Sequence, residues 1–194
     1  MKAEREEWKQ KQGDMDEKRL VFLDEFGVNT GMTKLYGRAE PGERVIDYVP
    51  DVRYERTTVL SSMRLNGECV YVTFPGALNG DIFKLYIEKV LAPTLHLGDV
   101  VVMDSLSSHK TDGIRETVQR AGGADIAFLP RYSPDLNPIE QMISKIKTGL
   151  RSAKARTVDL LLDAMSNAFD SISAFDISSW FANSGYSLPF LNPL

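Results

Sequence analysis

Three carboxylates stand where local sequence would end an element and turn an acid outward. Asp24 closes the apolar run RLVFLD, Asp104 closes DVVVMD, and Glu140 ends the stretch SPDLNPIE. A few convergent acids suffice to recruit a divalent ion, because Mg²⁺ takes hard oxygen ligands and keeps water and substrate phosphate in its other positions. The chemistry such a trio points to is phosphate chemistry, the cutting or joining of nucleic acid. Singly, each acid has a plainer role. An Asp after a buried strand caps the next helix or makes an Asx-turn. Glu140 follows Asn137 by three residues with Pro138 between them, which satisfies the capping-box and N-terminal proline rules.

The elements between the acids decide whether they can meet. Residues 20–23 read as a short buried strand ending at Asp24, and residues 100–103 as another ending at Asp104. The 35 residues between Asp104 and Glu140 hold a helix over 112–121, terminated by Gly122-Gly123, a strand over 126–129 and a turn. Strand-helix-strand crossovers make the second strand parallel to the first and bring both carboxyl ends to one side of the sheet. All three acids can then share one edge.

The remaining pattern supplies the rest of a sheet. Residues 56–65 and 68–74 flank Asn66-Gly67, a dipeptide favoured in two-residue hairpins, and carry β-branched and aromatic side chains. Residues 45–49 read as a further strand inside a loop punctuated by Gly27, Gly31, Gly37, Pro41 and Gly42. Asn79 or Asp81 caps a helix through Ile82, Leu85, Tyr86 and Val90 that Pro93 stops. Ile139, Ile143, Ile146 and Leu150 set a helix after Pro138, and a later helix runs over about 157–172. Residues 1–18 mix charges of both signs and read as an arm or linker, residues 19–183 as one catalytic domain, and residues 184–194 as a tail.

Composition bounds the function. The 194 residues, 43% hydrophobic and 26% charged, suit a single folded domain and exclude a disordered chain. A net charge of −4 excludes binding to nucleic acid by bulk positive charge and leaves room for a local basic surface. Cys69 is the single cysteine, which excludes an intrachain disulfide and a thiolate-rich zinc site and fits a reducing, cytoplasmic setting. No apolar run approaches the roughly 20 residues of a membrane helix.

The segments FLDE at 22–25, MDSLSSHK at 103–110 and LPRYSPDLNPIEQ at 129–141 together resemble the DDE transposases of the mariner-like superfamily, most closely the bacterial insertion-sequence branch. The resemblance spans about residues 19–183, and its third segment is long and specific. It implies an α/β, ribonuclease-H-like fold with a mixed five-stranded sheet flanked by helices. It also implies two Mg²⁺ ions, replaceable by Mn²⁺, on Asp24, Asp104 and Glu140, and cleavage and strand transfer on double-stranded DNA. The expected partners are transposon-end and target DNA, a second copy of the chain in the synaptic complex, and a helix-turn-helix recognition module that residues 1–18 do not supply. Two departures stand out. Ser105 replaces an Asn common after the second acid, and no recognition module precedes the first strand.

Candidate DNA contacts follow from spacing. Glu140, Ser144, Lys147, Arg151 and Lys154 advance by three or four and share one helix face, so basic residues can lead phosphates toward Glu140. A solvated amphipathic helix has the same pattern. His109 and Lys110 follow the second acid, and Arg131 and Tyr132 precede the third, with Tyr132 able either to line a channel or to pack beneath the turn. Trp8 and Trp180 read as packing residues. Two other functions fit the same residues: a stand-alone nuclease, and a catalytically silent DNA-binding subunit.

Overall fold

Five strands form one mixed sheet in the order β3-β2-β1-β4-β5. The computed structural model describes residues 2–49, 54, 56–104, 113–122 and 124–186. β1 (Leu20–Val28) is central; it pairs antiparallel with β2 (Thr57–Arg64) and parallel with β4 (Val100–Met103). β3 (Cys69–Pro75) extends the antiparallel side and β5 (Asp125–Phe128) the parallel side. The helices are α1 (Lys2–Gln12), α2 (Gly80–Tyr86), α3 (Ile114–Gly122), α4 (Ile139–Ala153), α5 (Val158–Asp170) and α6 (Ala174–Asn183).

Strand alternation divides the core in two. Leu20, Phe22, Phe26, Val59, Met63 and Val102 face α4, α5, α6 and Trp8 of α1. Val21, Leu23, Leu60, Val101 and Met103 face α2 and α3 through Phe83, Tyr86, Ile114 and Val118. The α4 stripe is the one its spacing predicts, with Ile139, Ile143, Ile146 and Leu150 buried and Met142 beside them. Phe22 sets its ring edge against Phe181 at 5.3 Å and Tyr186 at 5.1 Å, tying the middle of β1 to α6.

Four local expectations need correction. β1 runs nine residues, so Asp24 lies within the strand and does not close it. Pairing with β2 carries the chain on to Val28, whereas the described pairing with β4 stops at Phe22. Residues 45–49 form no strand, and Val45, Ile46, Tyr48 and Val49 are exposed. The hairpin turn is one residue longer than a two-residue loop. Gly67 N–H donates to the Arg64 carbonyl at 3.2 Å, leaving Leu65 and Asn66 as the central residues and Gly67 at φ +96° as the following bulge, a conformation that favours glycine. Finally, α6 is a separate helix, started by a reciprocal Ser173/Asp176 capping box.

The far end of the sheet is fastened by a buried ion pair. Arg64, at the end of β2, donates to Asp99 Oδ2 at 2.6 Å and to the Thr94 carbonyl at 2.7 Å. Asp99, just before β4, also accepts from the His96 N–H at 2.6 Å. Burial pushes the Asp99 carboxyl up, but the Arg64 and His96 donors outweigh it and hold the group below its ordinary value.

Candidate active site

The α4 side of the sheet is mostly apolar at its centre, and it carries a buried acid on β1. Across the strands, Cys69, Met63, Phe22, Val102 and Ala127 stand level with one another. Two residues further along β1, Asp24 stands opposite Ser61 of β2, which in turn stands opposite Tyr71 of β3. Asp104 directly follows Met103, the last residue of β4, two residues beyond the Phe22–Val102 pair, as Asp24 is along β1. Alternation puts Asp24 on the same face as Phe22.

Asp24 is 8% exposed. Its Oδ1 accepts the Glu25 N–H at 2.7 Å, and its Oδ2 accepts Nδ2 of Asn137 at 3.0 Å. The Asn137 contact overturns the capping-box expectation. The residue at the start of α4 is Pro138, with no side-chain cap, and the Asn137 side chain is directed to β1 instead. The Asn137 carbonyl accepts the Glu140 N–H at 3.2 Å, so the third acid enters on the first turn of α4 above the same face. Glu140 itself is exposed. Ser61 Oγ and Asn137 Oδ1 are buried oxygens without a hydrogen-bond partner among the described residues. These two residues were missed in the sequence. The one usable signal was a serine pair interrupting the apolar β2, and Asn137 was hidden behind its plainer capping role.

Among the described residues, no three carboxylate, imidazole or thiol groups are gathered closely enough to cage an ion. The donor chemistry nonetheless fits a hard divalent cation. Mg²⁺ is usually held by one or two carboxylates together with substrate phosphate, and Asp24 supplies one, opposite Ser61 and in contact with Asn137, each of which carries an unsatisfied buried oxygen. Asp24, Asp104 and Glu140 are all among the described residues, and they are not gathered into a cage of that kind; Glu140 lies exposed on the first turn of α4.

The basic candidates are already engaged to different degrees. Lys147 Nζ lies 5.5 Å from the centre of the Phe26 ring. Lys154 is not on the α4 face. It is the left-handed C-cap residue, φ 49°, and its Nζ pairs with Asp47 at 2.6 Å. Arg151 is half-buried in the last turn and Arg131 is exposed. Tyr132 is 86% exposed with φ 56°, so it does not pack beneath the turn. His109, Lys110 and Ser105 lie outside the described residues. Arg5 of α1 grips the loop before α4, donating to Asp135 at 2.7 and 3.0 Å and to Ser133 Oγ at 2.7 Å. Trp8 and Trp180 are buried, in keeping with packing roles.

The family model described as DDE superfamily endonuclease matches residues 19–162, about three quarters of the chain and all three acids. The chain belongs to this DDE family. No curated protein matches it in sequence. Among solved structures, this DDE-family chain is similar to Mos1 transposase in a paired-end complex with the left transposon end, with a TM-score of 0.78 at 14% identity. That match covers 95% of this chain and 57% of the other. The Mos1 catalytic domain with Raltegravir and Mn gives a TM-score of 0.70 at 13% identity, covering 95% and 86%. The crystal structure of the Mos1 mariner catalytic domain gives 0.63 at 14%, covering 96% and 93%. The DDE-family chain therefore has the ribonuclease-H-like fold and spans little more than half of the paired-end transposase chain. No helix among its described residues is long and apolar enough to cross a membrane.

Proposed function

We propose that this chain is the catalytic domain of a bacterial insertion-sequence transposase that cuts transposon-end DNA and transfers the freed strand to target DNA. The observation that supports the reading is the pairing of β1, which carries Asp24, with the parallel β4, which ends one residue before Asp104, on the face covered by α4 with Glu140 in its first turn. Asp24, Asp104 and Glu140 would hold two Mg²⁺ ions, with Mn²⁺ able to substitute. Such a pair supplies an activated water and stabilises the leaving oxygen of an in-line displacement, which is the chemistry of phosphodiester cleavage. The related complexes with Mg, with Mn and with transposon-end DNA support the metal and the substrate.

The chain's own residues position DNA and seat the ions. Asp24 is held on the sheet by the Glu25 N–H and the Asn137 amide, whereas Glu140 rides on a helix whose half-buried Lys147 and Arg151 would reach the phosphates. Lys154 would exchange Asp47 for a phosphate oxygen when DNA arrives. Arg131, with His109 and Lys110, would contact the backbone on the other side of the acids. A second copy of the chain in the synaptic complex and a separate helix-turn-helix polypeptide complete the reading, which places the protein in the bacterial cytoplasm, on the nucleoid when bound.

The test is nicking and strand joining on labelled duplex DNA with Mn²⁺. Asp24→Asn, Asp104→Asn and Glu140→Gln should each reduce both products to background while the fold, followed by circular dichroism, is kept. Full activity in any one of them removes that residue from the set. Nicking without joining would make the chain a stand-alone nuclease, and failure of the wild type to bind Mn²⁺ would make it a silent DNA-binding subunit.

A further inference from the structure

We infer that Asn137 is a positioning residue of the site: its amide fixes the Asp24 carboxylate while its backbone begins the turn that carries Glu140. One residue then sets two acids, 116 positions apart in sequence, relative to each other. The inference rests on the reading of Asp24 as an ion ligand.

The backbone of Asn137 is fixed from both sides. Its N–H donates to the Pro134 carbonyl at 3.1 Å, and its carbonyl accepts from Glu140. The following proline restricts it to the extended conformation it adopts, φ −113° and ψ 96°. With its backbone pinned and the residue 3% exposed, the side chain has little freedom, and Nδ2 meets Asp24 Oδ2 at 3.0 Å. An ionised carboxylate only accepts, so the group opposite it must be a donor, and an amide serves without adding charge. With Glu25 N–H on Oδ1 and Asn137 on Oδ2, each oxygen of Asp24 is oriented by a donor. A residue retained to start a helix would place its oxygen over the first amides of α4. Asn137 leaves that role unfilled and points its nitrogen at the sheet. Ligating carboxylates are characteristically held by such outer hydrogen bonds, and losing one weakens metal affinity about 10- to 100-fold.

The experiment is a Mn²⁺ titration of the whole chain, followed by the electron paramagnetic resonance signal of free Mn²⁺, with melting measured separately in EDTA. The variants are Asn137→Ala, Asn137→Leu, which keeps the side-chain volume, and Asp24→Asn. The inference expects at least one folded Asn137 variant to bind Mn²⁺ about tenfold more weakly or worse, and Asp24→Asn to lose binding. Folded Asn137 variants that bind like the wild type while Asp24→Asn does not would overturn it. Unfolding of both Asn137 variants would make the residue structural and overturn it as well. Wild-type affinity in Asp24→Asn would remove the ligand reading underneath, a separate failure that the same titration identifies.

Discussion

Replacing Asp99 by Ala should destabilise the protein by an amount the buried clamp at the far end of the sheet defines. The Asp99 side chain is 2% exposed and that of Arg64 6%, and removing one member of a buried pair costs about 3–5 kcal/mol because the other charge is left without compensation. Arg64 would keep the Thr94 carbonyl and a partly exposed Glu68 at 3.4 Å, which argues for the lower end, about 3 kcal/mol. For a chain of this size that is a fall in melting temperature of about 6–12 °C. The pH dependence has a definite sign. A carboxyl held below its ordinary value stabilises the fold above the unfolded value of about 3.9 and loses that contribution as pH falls through the lower folded value. The gap between wild type and Asp99→Ala should therefore stay constant from pH 7 to 5 and narrow below about pH 4. Thermal unfolding followed by circular dichroism at pH 7, 5 and 3 measures it. A fall at pH 7 below about 2 °C, or a gap that persists unchanged at pH 3, would refute the reasoning.

Other perturbations separate DNA contacts from packing. Lys147→Ala and Arg151→Ala should each weaken DNA binding and lower the salt slope by about one, measured by fluorescence anisotropy across salt concentrations; unchanged slopes would reject the basic track. Asp47→Ala frees Lys154 and should tighten DNA binding at low salt, an effect that must vanish in the Asp47→Ala, Lys154→Ala double variant. Phe22→Ala removes a fully buried ring that meets two others edge-on and should cost about 3–5 kcal/mol in urea unfolding; a loss under 1 kcal/mol would show that α6 is not anchored through it.

Most of the sheet was legible because its signals are local. Short apolar runs gave β1, β4 and β5, and a 3.6-residue period gave α4 together with its buried stripe. The length of β1 was hidden because Asp24, Glu25 and Gly27 interrupt the apolar pattern, while pairing with β2 continues regardless. Residues 45–49 have the β-branched composition of a strand but pair with no strand among the described residues, and composition cannot supply one. Asn137 misled for a different reason. Its sequence context satisfies a local capping rule, and only the approach of β1 from 113 positions away shows that its amide is used elsewhere. Lys154 failed on geometry, since spacing alone cannot tell a last helical residue from a left-handed cap.

Asp24 is a fixture of the sheet and Glu140 is not. A strand cannot slip by one residue without reversing every side chain, so Asp24 cannot change face while the domain folds. Glu140 is set by the loop from Leu129 to Pro138, where a single insertion would swing the start of α4 around its axis and leave the β-structure untouched. That loop is the natural place for selection to retune the reach of the third acid, and Arg5, which grips it from the opposite end of the chain, would have to change with it.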